Sequence, residues 1–429
     1  MGAGAAGFEL PQPAAEKDPL SMPDPHRAAP PLDGVVVLDF TRVLAGPWAT
    51  MALADLGARV IKIEHPKTGD DTRRYDVLPE LQGEAAYFLS TNRNKESLAL
   101  DIASEQGKAV VRRLVAKADV LVENFRADVM TRQGLGYEAM AEINPKLVYC
   151  SVTGYGHSSP NRLVAGYDPI AQAESGMMWM TGEADGPPLR TGVSYADMFT
   201  GMYASQAILA ALRAVERDGL GQHIDMALLD SAAACVVNYA QLALLTGKSP
   251  KRYGDHHPFI EPLGLYDCAD GQIMLVSGND RQWERLCKEG LERPDLLEDP
   301  KLVDVGTRVA NREYVRGLLN GILRQRKRAD WIPKLRAAGL PVGAVRDVTE
   351  ALAAPELAAR GMVVETEHAR VGRIRQVASP MKLSRTPVAD PIAPPLLGQH
   401  SRDALAFAGY AEADVASLIA DGVVVETKE

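Results

Sequence analysis

The stretch RTGVSYADMFTGMYASQ, residues 190–206, contains a single carboxylate, Asp197, where a loop gives way to an apolar, helix-forming run. A helix dipole stabilises an anion at its N-terminus by ~0.3–1 kcal/mol, so capping alone accounts for an aspartate at this position. The same dipole would keep a nucleophilic carboxylate ionised at pH 7, and carboxylates form covalent intermediates in group-transfer enzymes. The local pattern therefore leaves both roles open.

Other chemistries lack their signatures. His256 and His257 are adjacent, whereas two histidines that share a metal on a helix usually lie three or four residues apart. The chain has no HExxH and no GxSxG motif, so neither a zinc protease nor a serine hydrolase is indicated. We therefore expect no metal centre.

Composition and charge narrow the class of protein further. The chain has 429 residues, a net charge of -9 and a pI near 5.5, which argues against nucleic-acid binding but leaves room for a local basic pocket. No apolar run approaches the roughly 20 residues that a membrane span requires, and there is no secretory leader. The four cysteines are widely spaced and predict reduced thiols in a cytoplasmic protein. They are Cys150, Cys235, Cys268 and Cys287.

Alternating elements must position these groups. GVVVLDF (34–40) predicts a buried strand, AGPWATMALADLG (45–57) a helix with Pro47 in its first turn, and ARVIKIE (58–64) a second strand. This βαβ unit ends in Glu64, as a dinucleotide-binding unit would, but its first turn reads TRVLAGP instead of GxGxxG. Nicotinamide binding is therefore disfavoured.

The alternation continues to about residue 226, which predicts an α/β fold with a Rossmann-like, doubly wound parallel sheet. Long helices are expected over about 197–217 and 229–245. Mixed strands and helices over about 253–326 predict a smaller α+β domain, and an apolar run from residue 339 suggests a tail that returns to the first domain. The expected parts are a loose extension (1–30), the large domain (31–226), a linker helix with the small domain (227–338) and the returning segment (339–429).

Several sequence blocks, taken in order, resemble the family III CoA-transferases, the group that contains formyl-CoA and carnitine CoA-transferases. They extend from about Leu32 to Leu418 and include LDGVVVLDFTRVLAGPWAT, LADLGARVIKIEHPKTGDDTR, ADVLVENFR, GYDPIAQAESGMMWMTG, DGPPLRTGVSYADMFTG and APPLLGQH. The resemblance implies acyl-CoA and small carboxylic acids as substrates, with no tightly bound cofactor. It also implies an interlocked homodimer.

By this resemblance the family's nucleophilic aspartate falls on Asp197, and Tyr167 and Asp168 complete the catalytic set. The related α-methylacyl-CoA racemases carry a histidine where this chain has Tyr167. A phenol with an ordinary pKa near 10 is a poor base at neutral pH, so the racemase remains the alternative, together with a catalytically silent CoA-binding homologue.

The family's CoA contacts map to seven positions, and Arg132, Arg126 and Lys95 are the candidate cations for the phosphates. The seven positions are Leu44, Ala45, His65, Leu100, Asn124, Arg132 and Ala165. His65, Ala165 and Leu44 replace an arginine, a lysine and a glutamine of the formyl-specific members. These departures disfavour the formyl-CoA/oxalate specificity of those members.

The loop YGDHHPFIEPLG (253–264) stands in the region where formyl-CoA transferases carry a run of glycines. Its histidines could bind a second carboxylate through charge-assisted hydrogen bonds. We therefore expect a dicarboxylyl-CoA donor, such as succinyl-CoA.

Overall fold

The computed structural model describes residues 28–427. Residues 1–27, most of the expected loose extension, lie outside the described residues. The strands within the described part are β1 Val36–Asp39, β2 Arg59–Glu64, β3 Lys95–Leu100, β4 Val120–Glu123, β5 Val148–Thr153, β6 Gln222–Ala227, β7 Leu263–Cys268, β8 Gly271–Val276, β9 Val342–Ala344, β10 Val363–His368, β11 Gly372–Val377 and β12 Val424–Val425.

The α-helices of the same residues are α1 Ala45–Asp55, α2 Ala86–Thr91, α3 Glu105–Val115, α4 Val129–Arg132, α5 Tyr137–Ile143, α6 Asp168–Glu174, α7 Met177–Met180, α8 Tyr195–Asp218, α9 Leu228–Ala234, α10 Val237–Thr246, α11 Asp280–Arg285, α12 Val305–Ala310, α13 Arg312–Leu323, α14 Arg328–Ala337, α15 Val348–Leu352, α16 Pro355–Ala358, α17 Ser401–Phe407 and α18 Glu412–Ala420. Short 3₁₀ turns occupy Asp71–Arg74, Pro79–Leu81 and Pro294–Leu297, and a π-helical turn occupies Leu286–Gly290.

The central sheet has seven strands in the order β12-β3-β2-β1-β4-β5-β6. Strands β1 to β6 are parallel to their neighbours, and β12 adds an antiparallel edge to β3. The order 3-2-1-4-5-6 is that of doubly wound nucleotide-binding sheets. The expected α/β fold with a mainly parallel sheet is confirmed.

Helices cover both faces of this sheet. Successive strand residues point to opposite faces, and in β1 Val37 belongs to one hydrophobic core whereas Leu38 belongs to the other. The first core is completed by α1, α8 and α9, and the second by α3, α5, α17 and α18. The strand order reverses between β1 and β4, so their carboxyl ends form the crevice in which ligands bind in such sheets.

A second compact unit comprises residues 178–190 and 242–354. Its antiparallel sheet, in the order β7-β8-β9, packs against α13 and α14. Helix α13 presents Val315, Leu319 and Leu323 at four-residue spacing to the core of this unit. A smaller α+β unit is therefore present, as expected.

The chain returns to the large unit later than expected. β9 (Val342–Ala344) pairs with β8 in the small sheet, so the apolar run from residue 339 does not belong to the returning segment. Within the described residues, 355–427 cluster with the large unit, and they include the hairpin β10–β11 and the edge strand β12. A short apolar strand carries no signal for the sheet it joins, and this accounts for the error.

The helix expected over residues 229–245 is broken. It ends at Ala234 and restarts at Val237, whose φ of 42° is unusual for a β-branched residue, and the two parts are bent by 80°. In residues 28–427 no single helix has the length and apolar content to cross a membrane. The bent pair of α9 and α10 reaches that length and apolar content only when the two helices are counted together.

Two buried ion pairs lie beneath the connection from β1 to α1. Lys62 Nζ lies 2.9 Å from Asp70 Oδ2 and donates to the Thr41 carbonyl at 2.7 Å. Lys95 Nζ lies 3.0 Å from Asp39 Oδ2. All four charged side chains have no solvent exposure. The pairs therefore fix the geometry of this connection from below.

The pair of Lys62 and Asp70 gives the first prediction. Removal of one partner leaves an uncompensated buried charge, which costs about 3–5 kcal/mol. Lys62→Met should therefore lower the free energy of unfolding by about that amount. The double variant Lys62→Met/Asp70→Asn should lose less than the sum of the single losses. Urea unfolding followed by circular dichroism measures both, and additive losses would contradict a coupled pair.

Candidate active site

A cleft opens at the carboxyl ends of β1, β4 and β5, at the reversal in strand order. It is lined by the β1–α1 connection (42–45), by residues 124–126 after β4, by the segment 152–154 at the end of β5, and by residues 162 and 164–167. Asp197, near the start of α8, lies in its wall. The fold thus brings Asp197 to the position where doubly wound sheets bind ligands.

The β1–α1 connection is held in a strained conformation. Asn124 clamps Arg42 on both sides, since its Nδ2 donates to the Arg42 carbonyl at 2.7 Å and its Oδ1 accepts from the Arg42 N–H at 2.9 Å. Val43 has a φ of 71°, and its N–H donates to Asp70 Oδ1 at 3.2 Å. A β-branched residue in this region costs on the order of 1–3 kcal/mol and persists only where its surroundings impose it.

Asp197 is the third residue of α8, and it does not cap the helix. Ser194 at the N-cap makes no side-chain capping bond. The buried carboxylate of Asp168 takes that role, because its Oδ1 accepts from the N–H of Ala196 at 2.9 Å and of Asp197 at 3.4 Å. Gln172 Nε2 donates to the other oxygen at 2.7 Å. Asp168 therefore satisfies the first turn of α8 and leaves Asp197 free.

Within residues 28–427, no donor reaches the carboxylate of Asp197, although it lies in a partly buried wall. Burial and, after it, the negative charge of Asp168 raise the pKa of Asp197 to about 7. The expectation that the helix dipole keeps this carboxylate ionised at pH 7 stays a prediction. Desolvation and the charge of Asp168 act against the dipole and favour the protonated form.

Tyr87 is a residue that sequence reasoning missed. It lies on the short helix α2, and burial together with the charges of Asp197 and Asp168 raises its pKa to about 12. Its phenol is therefore a protonated donor near the two aspartates at neutral pH. Tyr75 contacts it edge to face, with ring centroids 5.9 Å apart. The stretch AAYFLS carries no local pattern that would have marked it.

Tyr167 immediately precedes α6 and lines the cleft, with 64% of its surface exposed. Leu44, Ala45, Asn124 and Ala165 line the same cleft. Asp168 lies behind this wall at 3% exposure. The structure thus gathers most of the expected site residues around Asp197.

A second pocket adjoins the first, since Arg42 and Phe125 line both. It contains His65 and Leu100 and is largely walled by apolar side chains, among them Ile63 and Ile102. The Arg42 guanidinium stacks on the Phe125 ring at 5.1 Å between the two pockets.

Two of the expected phosphate cations are placed elsewhere. Arg132 lines neither pocket, and its Nε lies 3.2 Å from Asp128 Oδ2. Lys95 is fully buried and bonded to Asp39, so it does not face a ligand. Arg126 does line the first cleft. Charge and spacing in the sequence could not distinguish a buried lysine of the ion-pair network from a surface cation.

The part of the chain that the structure describes has no cluster of three or more His, Cys, Asp or Glu that could hold a metal ion. Among the described residues, the cleft presents the unpaired carboxylate of Asp197 with a raised pKa, a second carboxylate behind it and the exposed phenol of Tyr167. Such a carboxylate is suited to nucleophilic attack on an acyl group.

Fold and cleft together define a doubly wound α/β protein with a carboxylate at its ligand-binding crevice. The model of CoA-transferase family III matches residues 32–401. The chain belongs to this family.

Named relatives agree with this assignment. The chain is 42% identical to a succinate–glutarate CoA-transferase of Agrobacterium fabrum, over 90% of this chain and 97% of that one. It is 40% identical to an acetyl-CoA:oxalate CoA-transferase of Acetobacter aceti, over 84% and 91%. A crystal structure of a CaiB/BaiF family protein from Brucella suis matches with a TM-score of 0.82 and 40% identity, covering 89% of this chain and all of that one.

The raised pKa of Asp197 gives the second prediction. Because the pKa is higher in the folded state than the ordinary 3.8, ionisation destabilises the fold, and this penalty grows from about pH 4 until it is complete above about pH 7. Asp197→Asn should therefore stabilise the protein by ~1–2 kcal/mol at pH 8 and by less at pH 5.

Thermal unfolding at the two pH values tests this expectation. Asp218→Asn is the matched control at the far end of α8, where Arg217 lowers the pKa of the exposed aspartate, and it should give no gain at pH 8. A loss of stability in Asp197→Asn at pH 8 would contradict the strained carboxylate.

Proposed function

We propose that this CoA-transferase moves CoA from a dicarboxylyl-CoA, with succinyl-CoA as the first candidate, to a dicarboxylic acid through a covalent intermediate on Asp197. The observation that carries the proposal is the unpaired carboxylate of Asp197 in the cleft of a family III fold. The name of the Agrobacterium relative pairs two dicarboxylic acids, succinate and glutarate, and that of the Acetobacter relative pairs acetyl-CoA with the dicarboxylic acid oxalate. Their identity of about 40% supports the same substrate class here.

The proposed reaction exchanges a thioester between two carboxylates. Asp197 attacks the thioester carbonyl of the donor, and the C–S bond breaks to give a mixed anhydride and CoA thiolate. The thiolate then attacks the aspartyl carbonyl, which releases the donor acid and leaves an aspartyl-CoA thioester. The acceptor carboxylate attacks this thioester, and the reverse steps release the new acyl-CoA and free Asp197.

Each tetrahedral intermediate carries an oxyanion that needs hydrogen-bond donors. Within the described residues, no acceptor takes the backbone N–H groups of Leu44, Ala45 and Gly46 at the start of α1. Leu44 and Ala45 also line the cleft. We assign the oxyanion to this turn, which the clamp on Arg42 and Val43 holds in place.

Tyr167 and Asp168 have distinct proposed roles. Tyr167 is exposed in the cleft, and its hydroxyl would orient the acyl group. Asp168 acts through Asp197, because it anchors the first turn of α8 and keeps the pKa of the nucleophile high. A carboxylate of higher pKa is the stronger nucleophile once it is ionised.

The two adjoining pockets would each hold a different part of the CoA molecule. The cleft that contains Asp197, Leu44, Asn124 and Ala165 would hold the thioester and the pantetheine arm. The apolar pocket beside His65 and Leu100 would hold the adenine ring. Arg132 lies outside both, which weakens its assignment as a CoA contact.

The expected homodimer has one supporting feature. Helix α10 has no buried residue, and its Leu244 and Leu245 are 80% and 76% exposed. Apolar side chains exposed to this degree along one helix are typical of an interface, and a second copy of the chain is the partner that the family resemblance implies. A cytoplasmic location stays a prediction.

A racemase is the second candidate. It requires a second base opposite Asp197, and the described residues that line the cleft include no histidine. Transfer of deuterium from solvent to the α-carbon of a branched acyl-CoA, without an acceptor acid, would favour this candidate over the transferase.

The covalent intermediate gives the third prediction. Incubation with succinyl-CoA should produce a protein adduct that hydroxylamine converts to a hydroxamate at Asp197, detected by intact mass and peptide mapping. Glutaryl-CoA should behave similarly, and formyl-CoA should react poorly. Asp197→Asn should form no adduct and lose at least about 10³-fold in CoA transfer, since the nucleophile is absent. Transfer without any trapped adduct would contradict the mechanism.

The pH dependence gives the fourth prediction. Because Asp197 must be ionised to attack, kcat/KM should rise with pH and level off above an apparent pKa of about 7. Asp168→Asn removes the repelling charge and should move this limb to lower pH, although burial keeps it above 3.8.

The control for this profile is Asp71→Asn, which removes a carboxylate that lines the same cleft but pairs with Arg42 and Arg74. It should leave the limb near pH 7. An unchanged limb in Asp168→Asn would show that the two aspartates are not coupled.

A further inference from the structure

The residues between β5 and α6 form a loop whose ends are pinned together. Gly154 and Gly166 touch through their backbones, so closely that a Cβ on Gly154 would lie 2.5 Å from the Gly166 Cα. Residues 155–165 therefore leave the end of β5 and return to the same point before α6 begins, as in an Ω-loop. Only glycine permits this approach, and both glycines line the cleft.

The first half of this loop is anchored. The Gly156 N–H donates to Thr153 Oγ1 at 2.8 Å, and the His157 N–H donates to Asp225 Oδ2 at 2.9 Å on β6. The second half, residues 161–165, is exposed and is shaped by its own turns, with the Val164 N–H bonded to the Asn161 carbonyl at 2.8 Å. The anchored stem thus holds an exposed tip at the cleft.

Arg162 is the cation on this tip. It lines the cleft, and its guanidinium has no hydrogen-bond or ion-pair partner among residues 28–427. Arg126, which follows β4, lines the same cleft and is likewise unpaired there. Arg42 differs, because it pairs with Asp71 at 3.3 Å. Two arginines in the cleft therefore lack a counter-ion.

We propose that Arg162, assisted by Arg126, binds phosphate groups of CoA from the tip of this loop. The inference rests on the proposed function, in which an acyl-CoA occupies the cleft. Arginine is suited to phosphate because its planar fork donates two parallel hydrogen bonds. Two unpaired cations also match the two charges of the CoA diphosphate. Sequence analysis had assigned this task to Arg132, Arg126 and Lys95, of which the structure places only Arg126 at the cleft. Arg162 was not among them.

The test combines a variant with truncated ligands. Arg162→Gln should weaken CoA binding, measured by titration calorimetry, and should lower kcat/KM for succinyl-CoA on the order of 10-fold. Arg162→Lys should keep part of the affinity because it keeps the charge. Arg213→Gln is the control, since Arg213 is an exposed arginine of α8 that pairs with Glu216, and it should change neither quantity.

Succinyl-dephospho-CoA and succinyl-pantetheine locate the contact. If Arg162→Gln loses activity with both CoA thioesters but not with the pantetheine thioester, Arg162 binds the diphosphate. If Arg162→Gln loses activity with succinyl-CoA but with neither succinyl-dephospho-CoA nor succinyl-pantetheine, Arg162 binds the 3′-phosphate. Both outcomes support the proposal.

Two outcomes would overturn it. An equal loss with succinyl-pantetheine would show that Arg162 does not act through phosphate, and normal CoA affinity in Arg162→Gln would show that it does not bind CoA. Failure of the proposed function is distinguishable, because the unaltered protein would then bind CoA without transferring it or would not bind CoA at all.

Discussion

The cleft depends on charges buried beneath the first βα connection. Lys62, Asp70, Lys95 and Asp39 are fully buried and paired, and burial of ion pairs adds little net stability because desolvation offsets their attraction. Their effect is on geometry. They hold the carbonyl of Thr41 and, through Asp70, the strained Val43, and so they set the turn that opens α1 towards the ligand. A buried apolar cluster would fill the same volume without fixing those backbone groups.

The two aspartates near the start of α8 show how one carboxylate can shape another. Asp168 is buried and fully engaged, with backbone N–H groups on one oxygen and Gln172 on the other. Among residues 28–427 no donor reaches Asp197, and burial followed by the charge of Asp168 raises its pKa to about 7. Different environments for paired carboxylates are a recurring way to separate structural from chemical roles. Asp168, which the family resemblance placed in the catalytic set, here anchors the first turn of α8.

Sequence analysis predicted what depends on periodicity. The alternation of apolar strands and amphipathic helices from GVVVLDF onward led to the doubly wound sheet, and the family blocks placed Asp197 at its crevice. It failed where a local stretch of sequence does not indicate which distant residues it will contact. The strand Val342–Ala344 joined the small sheet, the Ala-rich helix broke before Val237, and Lys95 turned inward to Asp39. Tyr87 was missed for the same reason, because its proximity to Asp197 arises from packing across distant parts of the chain.

The raised pKa of Asp197 has a consequence for the covalent chemistry that we propose for this site. Protonation and acylation both remove the negative charge, so whatever disfavours the ion favours the aspartyl thioester by a similar amount. The rise from 3.8 to about 7 corresponds to at most roughly 4 kcal/mol, and the residual exposure of the side chain reduces it. The hydrogen bonds that Asp168 accepts from the N–H groups of Ala196 and Asp197 do not involve the Asp197 carboxylate. The repulsion that makes the resting carboxylate costly above pH 7 is therefore relieved when the intermediate forms and returns when product leaves. A site built this way drives the nucleophile towards its acylated state without binding the substrate more tightly, which is the condition for lowering the barrier of the exchange.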